Sequence, residues 1–359
     1  MHIERIPVDG YEQVVKATDA ESGLRAFIAI HDTTLGPALG GMRMWPYDSE
    51  KEALSDVLRL SQGMTYKSAI ARTGLGGGKS VVIGDPHKDK TPQLLQAMGR
   101  FVDSLGGRYI TAEDVGISEH DLAIVRQETR FVTGLHRESG SSGNPSPYTA
   151  YGVFLGVKAC VQEADGNEDL TGKRVALQGL GQVGTRLVEY LQQAGAHVIV
   201  TDIGEKRVRE VVESLGVESV SPTEIYDVDC DIFAPCALGA VINDETIPRL
   251  KCRIVAGAAN NQLLAPEHGD RLLEKGILYA PDYVINAGGI INVSVELLEG
   301  GYHEDVALAK IRNIHDALLE IFQMSREQRI STDRAALQVA QQRLAEGRGA
   351  KARQAPVQN

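Results

Sequence analysis

The sequence predicts an α/β chain of two domains, and three observations carry that prediction. Short apolar runs alternate with stretches of helical periodicity along most of the chain. Glycine, serine and proline cluster at Ser139-Gly140-Ser141-Ser142-Gly143-Asn144-Pro145-Ser146-Pro147, as at a hinge or boundary. From Lys173 onward a strand, a glycine turn, a helix and a further strand follow one another. At 359 residues the chain is long enough for two cores of ordinary size.

Taken in order, Ala26-Phe27-Ile28-Ala29-Ile30 reads as a buried strand that ends in a loop, Gly36-Pro37-Ala38-Leu39-Gly40-Gly41. Leu54, Val57, Leu58 and Met64 recur near helical spacing and predict a helix from about Ser49 to Thr65. Ser80-Val81-Val82-Ile83 and Arg108-Tyr109-Ile110-Thr111-Ala112 are two more strands, which places Lys67, Lys79 and Asp114 at element ends or in adjoining loops. Beyond the glycine-rich cluster, a helix is expected from Thr149 to about Ala164. Val175-Ala176-Leu177 and His197-Val198-Ile199-Val200-Thr201-Asp202 flank a helix, and strands are expected again near 231–233, 253–256 and 276–279. Strands separated by helices in this way predict a doubly wound parallel sheet. Residues 288–343 are mostly helical in pattern, and the tail after Glu346 has no apolar periodicity, as in an unstructured basic segment.

Composition narrows the class. Hydrophobic residues make up 43% and charged residues 24%, as in a globular protein. No run approaches the roughly 18 apolar residues of a membrane span. Met1-His2-Ile3-Glu4-Arg5-Ile6 lacks the apolar stretch of a secretion signal, so cytoplasmic residence is the expectation. A formal charge of −11 argues against general affinity for nucleic acid or anionic membrane. Cys160, Cys230, Cys236 and Cys252 form no CxxC pair and sit in apolar surroundings, which predicts buried thiols and no metal site.

Two glycine-rich signatures carry the chemistry. In Gly179-Leu180-Gly181-Gln182-Val183-Gly184 a GxGxxG turn follows a buried strand and opens a helix. The next strand ends in Asp202, eighteen positions after Gly184. Such glycines permit a tight turn and let a pyrophosphate approach the amides at a helix N-terminus. A carboxylate at Asp202 accepts hydrogen bonds from ribose hydroxyls and repels a 2′-phosphate, favouring NAD over NADP, with Arg207 close enough in sequence to temper that preference.

The second signature, Gly74-Leu75-Gly76-Gly77-Gly78-Lys79-Ser80, follows closely on Met64-Thr65-Tyr66-Lys67. A Walker loop would need glycine at position 73, which is Thr73, and its lysine would open a helix rather than precede a strand. Glycines here would let backbone approach a ligand closely. Amino-group chemistry suits the residues: Lys67 as a cation for a substrate carboxylate, Lys79 as a base with its pKa lowered by desolvation and by Lys67, and Asp114 to carry protons. Spacing alone is equally compatible with two surface lysines and a helix-capping aspartate.

Several blocks in order resemble the glutamate/leucine/phenylalanine/valine dehydrogenases. They are His31-Asp32-Thr33-Thr34-Leu35-Gly36-Pro37-Ala38-Leu39-Gly40-Gly41, the Met64 to Ser80 region, Thr111 to Gly116, the dinucleotide turn, Ala234-Pro235-Cys236-Ala237-Leu238-Gly239, Gly257-Ala258-Ala259-Asn260-Asn261-Gln262 and Asn286-Ala287-Gly288-Gly289. The resemblance implies an N-terminal substrate-binding and oligomerisation domain over 1–140, rejoined by helices near 325–345, and a Rossmann domain over 141–324. It places the active site in the cleft between them and leaves 346–359 as a tail. It further implies reversible oxidative deamination of an L-amino acid to a 2-oxo acid and ammonia with NAD, in a homo-oligomer that is octameric among the branched-chain members.

By motif, the resemblance makes Lys79 the catalytic lysine and Asp114 its proton-transfer partner. Lys67 and Asn261 hold the substrate carboxylate, Gly40, Gly41 and Met64 lie against the substrate, and Thr149 and Asn260 sit near the nicotinamide. It lines the side-chain pocket with Leu39, Ala112, Ile290 and Val293. Those residues offer no charge to pair a second carboxylate, which disfavours glutamate and favours branched-chain substrates. One methylene is worth only about 1–3 kcal/mol in such a pocket, so phenylalanine or tryptophan is the alternative. A non-catalytic NAD-binding protein is the remaining one. Two positions depart from the family pattern: Asn144 stands where the Ser-Gly-Asp-Pro form of this loop has aspartate, and Met42-Arg43-Met44-Trp45 carries an unusual tryptophan.

Overall fold

A computed structural model describes residues 1–135, 137 and 140–354. Ser139, the first residue of the glycine-rich cluster, and 355–359, the end of the predicted tail, lie outside the described residues. The chain forms two compact units: Met1–Asn144, Val293–His303 and Ala340 onward make the first, and Pro145–Asn292 with Glu304–Val339 make the second. The resemblance assigns 293–303 to the Rossmann domain and returns 325–345 to the first, whereas the structure packs 293–303 with the first unit and 325–339 with the second.

The first unit is built on a six-stranded mixed sheet. Its strands are β1 (His2–Arg5), β2 (Gln13–Asp19), β3 (Leu24–Asp32), β4 (Ala38–Trp45), β5 (Gly76–Ile83) and β6 (Tyr109–Ala112), in the spatial order β1-β2-β3-β5-β4-β6. Pairing is antiparallel from β1 to β5 and parallel from β5 through β4 to β6. Helix α1 (Glu50–Ile70) covers one face, with Ala53 and Val57 against Phe27, Ala29 and Val81. Ser49 caps it, accepting a hydrogen bond from the Glu52 amide at 3.2 Å. Helices α2 (Pro92–Asp103) and α3 (Glu119–Val125) cover the other face, where Ile28, Ile30, Met42, Met44, Phe101 and Tyr109 are packed. Burial on both faces explains why β3 reads as a continuous apolar run.

Two sequence expectations change here. The stretch predicted as a loop through Gly40 and Gly41 is the start of strand β4, and Lys79 lies inside β5 rather than beside it. The glycines of β5 are required by packing. A β-carbon on Gly77 would fall 2.1 Å from the Thr65 amide nitrogen of α1, and one on Gly76 would fall 2.2 Å from the Asp32 carbonyl oxygen. Their absence lets helix and loop close directly onto the strand.

The second unit opens with α4 (Ser146–Asp165) and winds a fully parallel sheet. Its strands are β7 (Arg174–Gln178), β8 (His197–Thr201), β9 (Glu218–Ser219), β10 (Ile232–Pro235), β11 (Ile254–Val255) and β12 (Leu278–Tyr279), in the order β12-β11-β10-β7-β8-β9. All five pairings are parallel. Counted from β7, this is the 6-5-4-1-2-3 order of a Rossmann sheet, with its switch point between β7 and β10. Helices α5 (Gln182–Gln193), α6 (Glu205–Leu215), α7 (Glu267–Glu274) and α8 (Asp282–Ile285) lie between or after the strands, followed by α9 (Gly288–Val295), α10 (Glu304–Ile311), α11 (Asn313–Gln328) and α12 (Thr332–Gln354). Among the described residues no helix is long and apolar enough to cross a membrane.

The predicted tail is corrected as well, since α12 runs to Gln354. Polar contacts within the first unit hold its end. Arg343 donates to the carbonyls of Ala69 and Ile70, in the last turn of α1. Arg348 pairs with Asp32 at 2.8 Å, and Lys351 donates to the Thr33 carbonyl at 2.8 Å.

Candidate active site

Within the first unit, the lysine and carboxylate singled out from the sequence meet. Lys79 shares a face of β5 with Val81, the face that carries α1, and only 6% of it is exposed. Its ammonium donates to Oδ2 of Asp114, in the turn after β6. The Val115 amide donates to the other oxygen, Oδ1, at 2.7 Å, and the Arg43 guanidinium lies 3.7 Å from it. Burial alone would raise the Asp114 carboxyl; Lys79 and Arg43 outweigh it and hold the group below the usual carboxylate range. Asp114 is therefore an anion at neutral pH, fixed to accept rather than donate.

Glycines bring the strands close enough for this. A β-carbon on Gly41 would lie 2.8 Å from Cβ of Asp114 and 2.5 Å from the Glu113 carbonyl oxygen. On Gly40 it would meet the Gly78 carbonyl oxygen at 1.8 Å, with Met64 Cγ 3.4 Å away. The Tyr109 hydroxyl donates to the Gly40 carbonyl at 2.6 Å. In register, Gly41 faces Ala112 of β6 and Leu39 faces Gly77 of β5. Gly40, Gly41, Met64, Ala112, Lys79 and Asp114 thus converge, while Lys67 stands in the last turn of α1. Leu39 and Val293 are buried in the same unit.

Within the second unit, the glycine turn at the end of β7 has three distinct demands. Gly179 has φ +104°, and a β-carbon there would strike Ala237 just beyond β10 at 2.8 Å. Gly184 packs against the Gly179 carbonyl oxygen, 1.9 Å from where its β-carbon would be. A β-carbon on Gly181 would meet nothing within 4 Å, and as the N-cap of α5 it makes no side-chain bond to the helix amides. Amides at the helix start with open space above them fit a pyrophosphate; Leu180, Gln182 and Val183 complete the turn. Asp202 follows β8, accepting from the Leu180 amide at 2.7 Å and the Gly204 amide at 2.8 Å, with Arg207 at 3.2 Å. Burial opposes its ionisation, but these donors hold its carboxyl below the ordinary range.

Asn260 and Asn261 lie in the loop after β11. Asn261 holds φ +51°, and its carbonyl accepts from the Ala240 amide. The Asn286 amide group donates to Asn260 Oδ1 at 2.7 Å and to the Ala258 carbonyl at 3.1 Å, bracing the loop. Thr149, in the first turn of α4, packs its hydroxyl where a β-carbon on Gly289 would fall, 2.8 Å away; Ile290 follows in α9.

Comparison with known proteins decides the family. A match described as the Glu/Leu/Phe/Val dehydrogenase dimerisation domain spans residues 11–131, and one described as Glutamate/Leucine/Phenylalanine/Valine dehydrogenase spans 140–204 and 199–351. The chain belongs to this family of amino acid dehydrogenases. It is 57% identical to the leucine dehydrogenase of Thermoactinomyces intermedius over 93% of this chain and 91% of that one. Identity to the phenylalanine dehydrogenase of Caldalkalibacillus thermarum is 49%, over 94% of this chain and 92% of its relative. The crystal structure of L-tryptophan dehydrogenase from Nostoc punctiforme superposes with a TM-score of 0.85 at 48% identity, covering 94% of this chain and 96% of that one.

Sequence reasoning missed residues around this family site. Arg43 is one; strand alternation could have found it, since it stands two positions after Gly41 and so shares its face of β4. Asp56, which accepts from Arg43, and Tyr47, which donates to Asp56, carry no such signal because α1 meets β4 only in the folded unit.

Proposed function

We propose that this chain catalyses the reversible, NAD-dependent oxidative deamination of a branched-chain L-amino acid, leucine foremost, to its 2-oxo acid and ammonia. The observation that carries the proposal is the buried Lys79–Asp114 pair on β5 and the adjoining turn, in a chain 57% identical to a leucine dehydrogenase. The catalytic groups come from the first unit. Lys67 holds the substrate carboxylate as a point charge, with Asn261 as a second donor. Lys79 takes the proton from the substrate ammonium and passes it through Asp114 to solvent; as a free amine again, it takes the proton of the water that attacks the imine carbon. When bound, the nicotinamide supplies the hydride acceptor; Asn260 and Thr149 are proposed to orient it.

Apolar Leu39, Ala112, Ile290 and Val293 favour an aliphatic side chain over a charged one. The phenylalanine and tryptophan dehydrogenases among the relatives support an aromatic substrate as the second reading. The enzyme is proposed to act in the cytoplasm as a homo-oligomer, octameric like the branched-chain members; the dimerisation-domain match over 11–131 supports self-association.

The cofactor half is tested with L-leucine as donor. Wild type should reduce NAD in preference to NADP and release one ammonia per NADH. Asp202→Ala removes the carboxylate that repels a 2′-phosphate while leaving Arg207, so the NAD-over-NADP ratio of kcat/KM should fall by about tenfold or more. An unchanged ratio would show that Asp202 does not face the ribose.

A further inference from the structure

We propose that Arg43 is a positioning residue for the Lys79–Asp114 pair, bridging Asp114 to Asp56 of α1. This deepens the dehydrogenase assignment and rests on it. Arg43 leaves β4 on the face that carries α1, two positions after the glycine that admits Asp114. One guanidinium nitrogen lies 3.0 Å from Asp56 Oδ2 and another 3.7 Å from Asp114 Oδ1. The Tyr47 hydroxyl donates to the same Asp56 oxygen at 2.7 Å, and Arg59 lies 3.0 Å from its other oxygen. Side-chain exposures of 23% for Arg43, 16% for Asp56 and 15% for Asp114 put the chain of charges largely out of water.

The geometry divides the Asp114 carboxylate between two cations. Oδ2 serves Lys79, and Oδ1 is held by the Val115 amide and faces Arg43. A carboxylate held on both oxygens cannot rotate away from the lysine. The rigid guanidinium fork suits such a bridge because it reaches two carboxylates in one plane. Asp56, itself held by the Tyr47 hydroxyl, tethers Arg43 and keeps it from advancing onto Asp114 and displacing Lys79. Other groups around Asp114 are the neighbouring Glu113 and the buried Tyr109 of β6, whose phenol is pushed up by burial and stays neutral. Glu113 is itself pushed up, by burial first and then by Glu119 and Asp114. Arg43 is thus the cation besides Lys79 that favours the charged carboxylate.

The sign of the pH effect follows. Asp114 must be ionised to hold Lys79, so activity falls as pH drops through its depressed pKa. Removing Arg43 takes away one of the two cations that depress it, and the low-pH limb moves upward.

The test compares wild type, Arg43→Gln and Arg43→Lys in the full-length enzyme. Arg43→Gln should lower kcat about tenfold with KM for leucine changed less than about twofold, and should move the low-pH limb of kcat/KM upward by about one unit. Arg43→Lys keeps the charge and should return the limb most of the way. A second readout needs no turnover: carbodiimide coupling of Asp114, which requires the protonated acid, followed against pH by mass spectrometry. Its midpoint should rise by the same amount in Arg43→Gln. Arg43→Met, of similar length, replaces Gln should that variant not fold. An unmoved limb and an unmoved labelling midpoint would overturn the proposal, leaving Arg43 a structural ion-pair partner. Wild type without leucine turnover would instead sink the dehydrogenase assignment, and the labelling midpoint would still decide whether Arg43 governs Asp114.

Discussion

Lys79→Ala should lower kcat by at least about a thousandfold while leaving NADH affinity near that of wild type. The asymmetry follows from where each group sits. Lys79 belongs to β5 in the first unit, while the proposed pyrophosphate cradle is the Gly179–Gly184 turn of the second. Alanine removes the amine that exchanges protons and leaves the Asp114 carboxylate with Arg43 and the Val115 amide, its Oδ2 without the lysine. Leaving a largely buried acceptor without its donor costs on the order of 1–3 kcal/mol of stability, small enough for the variant to fold. Small primary amines added to the variant should restore part of the turnover, as they restore the missing base. Substantial residual activity without amine would remove Lys79 from the mechanism; matched NADH titrations and melting curves separate that result from a folding defect.

The second large effect comes from one methyl group. Gly41→Ala places a β-carbon 2.5 Å from the Glu113 carbonyl oxygen and 2.8 Å from Asp114 Cβ. Neither contact is the loose end of a side chain, so the 113–114 turn must shift. Its position is fixed by β6 and by a bridge between Asp114 and Ile117, which leaves displacement of the carboxylate as the relief. A misplacement of about 1 Å at a reacting group costs on the order of a hundredfold in rate. Expected, then, is a kcat lowered about a hundredfold with NAD affinity retained. A wild-type kcat in Gly41→Ala would mean that the Asp114 geometry is not critical to turnover.

How far the sequence disclosed the molecule differs from site to site. The Rossmann turn was legible because each of its parts is local: a strand, three glycines at fixed spacing, a helix, and an acid at the end of the next strand. Structure then separates the glycines by physical demand, with positive φ at Gly179, open space at Gly181 and close packing at Gly184. Lys79 and Asp114 were named from motifs, but their meeting is a tertiary fact set by the β5-β4-β6 order. The glycines of β5 misled on local structure, since a run of glycine looks like a loop rather than a strand, and only the position of Thr65 shows that α1 needs the space. The end of α12 was hidden for the opposite reason. It lacks an apolar stripe and is held by Arg343, Arg348 and Lys351 on partners more than 270 positions away in sequence. Arg43 stood in plain view as the residue after Gly40-Gly41-Met42, but its role depends on Asp56 from a helix that sequence alone does not dock.

The measurement that bears most directly on the central claim is NADH formation by the wild-type enzyme with NAD and a panel of L-amino acids: leucine, valine, isoleucine, phenylalanine, tryptophan and glutamate. The proposed apolar lining and the identity to leucine dehydrogenases predict the highest kcat/KM for leucine, with valine and isoleucine close behind and glutamate inert. A preference for phenylalanine or tryptophan would keep the lysine mechanism and contradict the branched-chain assignment. Absence of turnover with every member of the panel would contradict catalysis by Lys79 altogether.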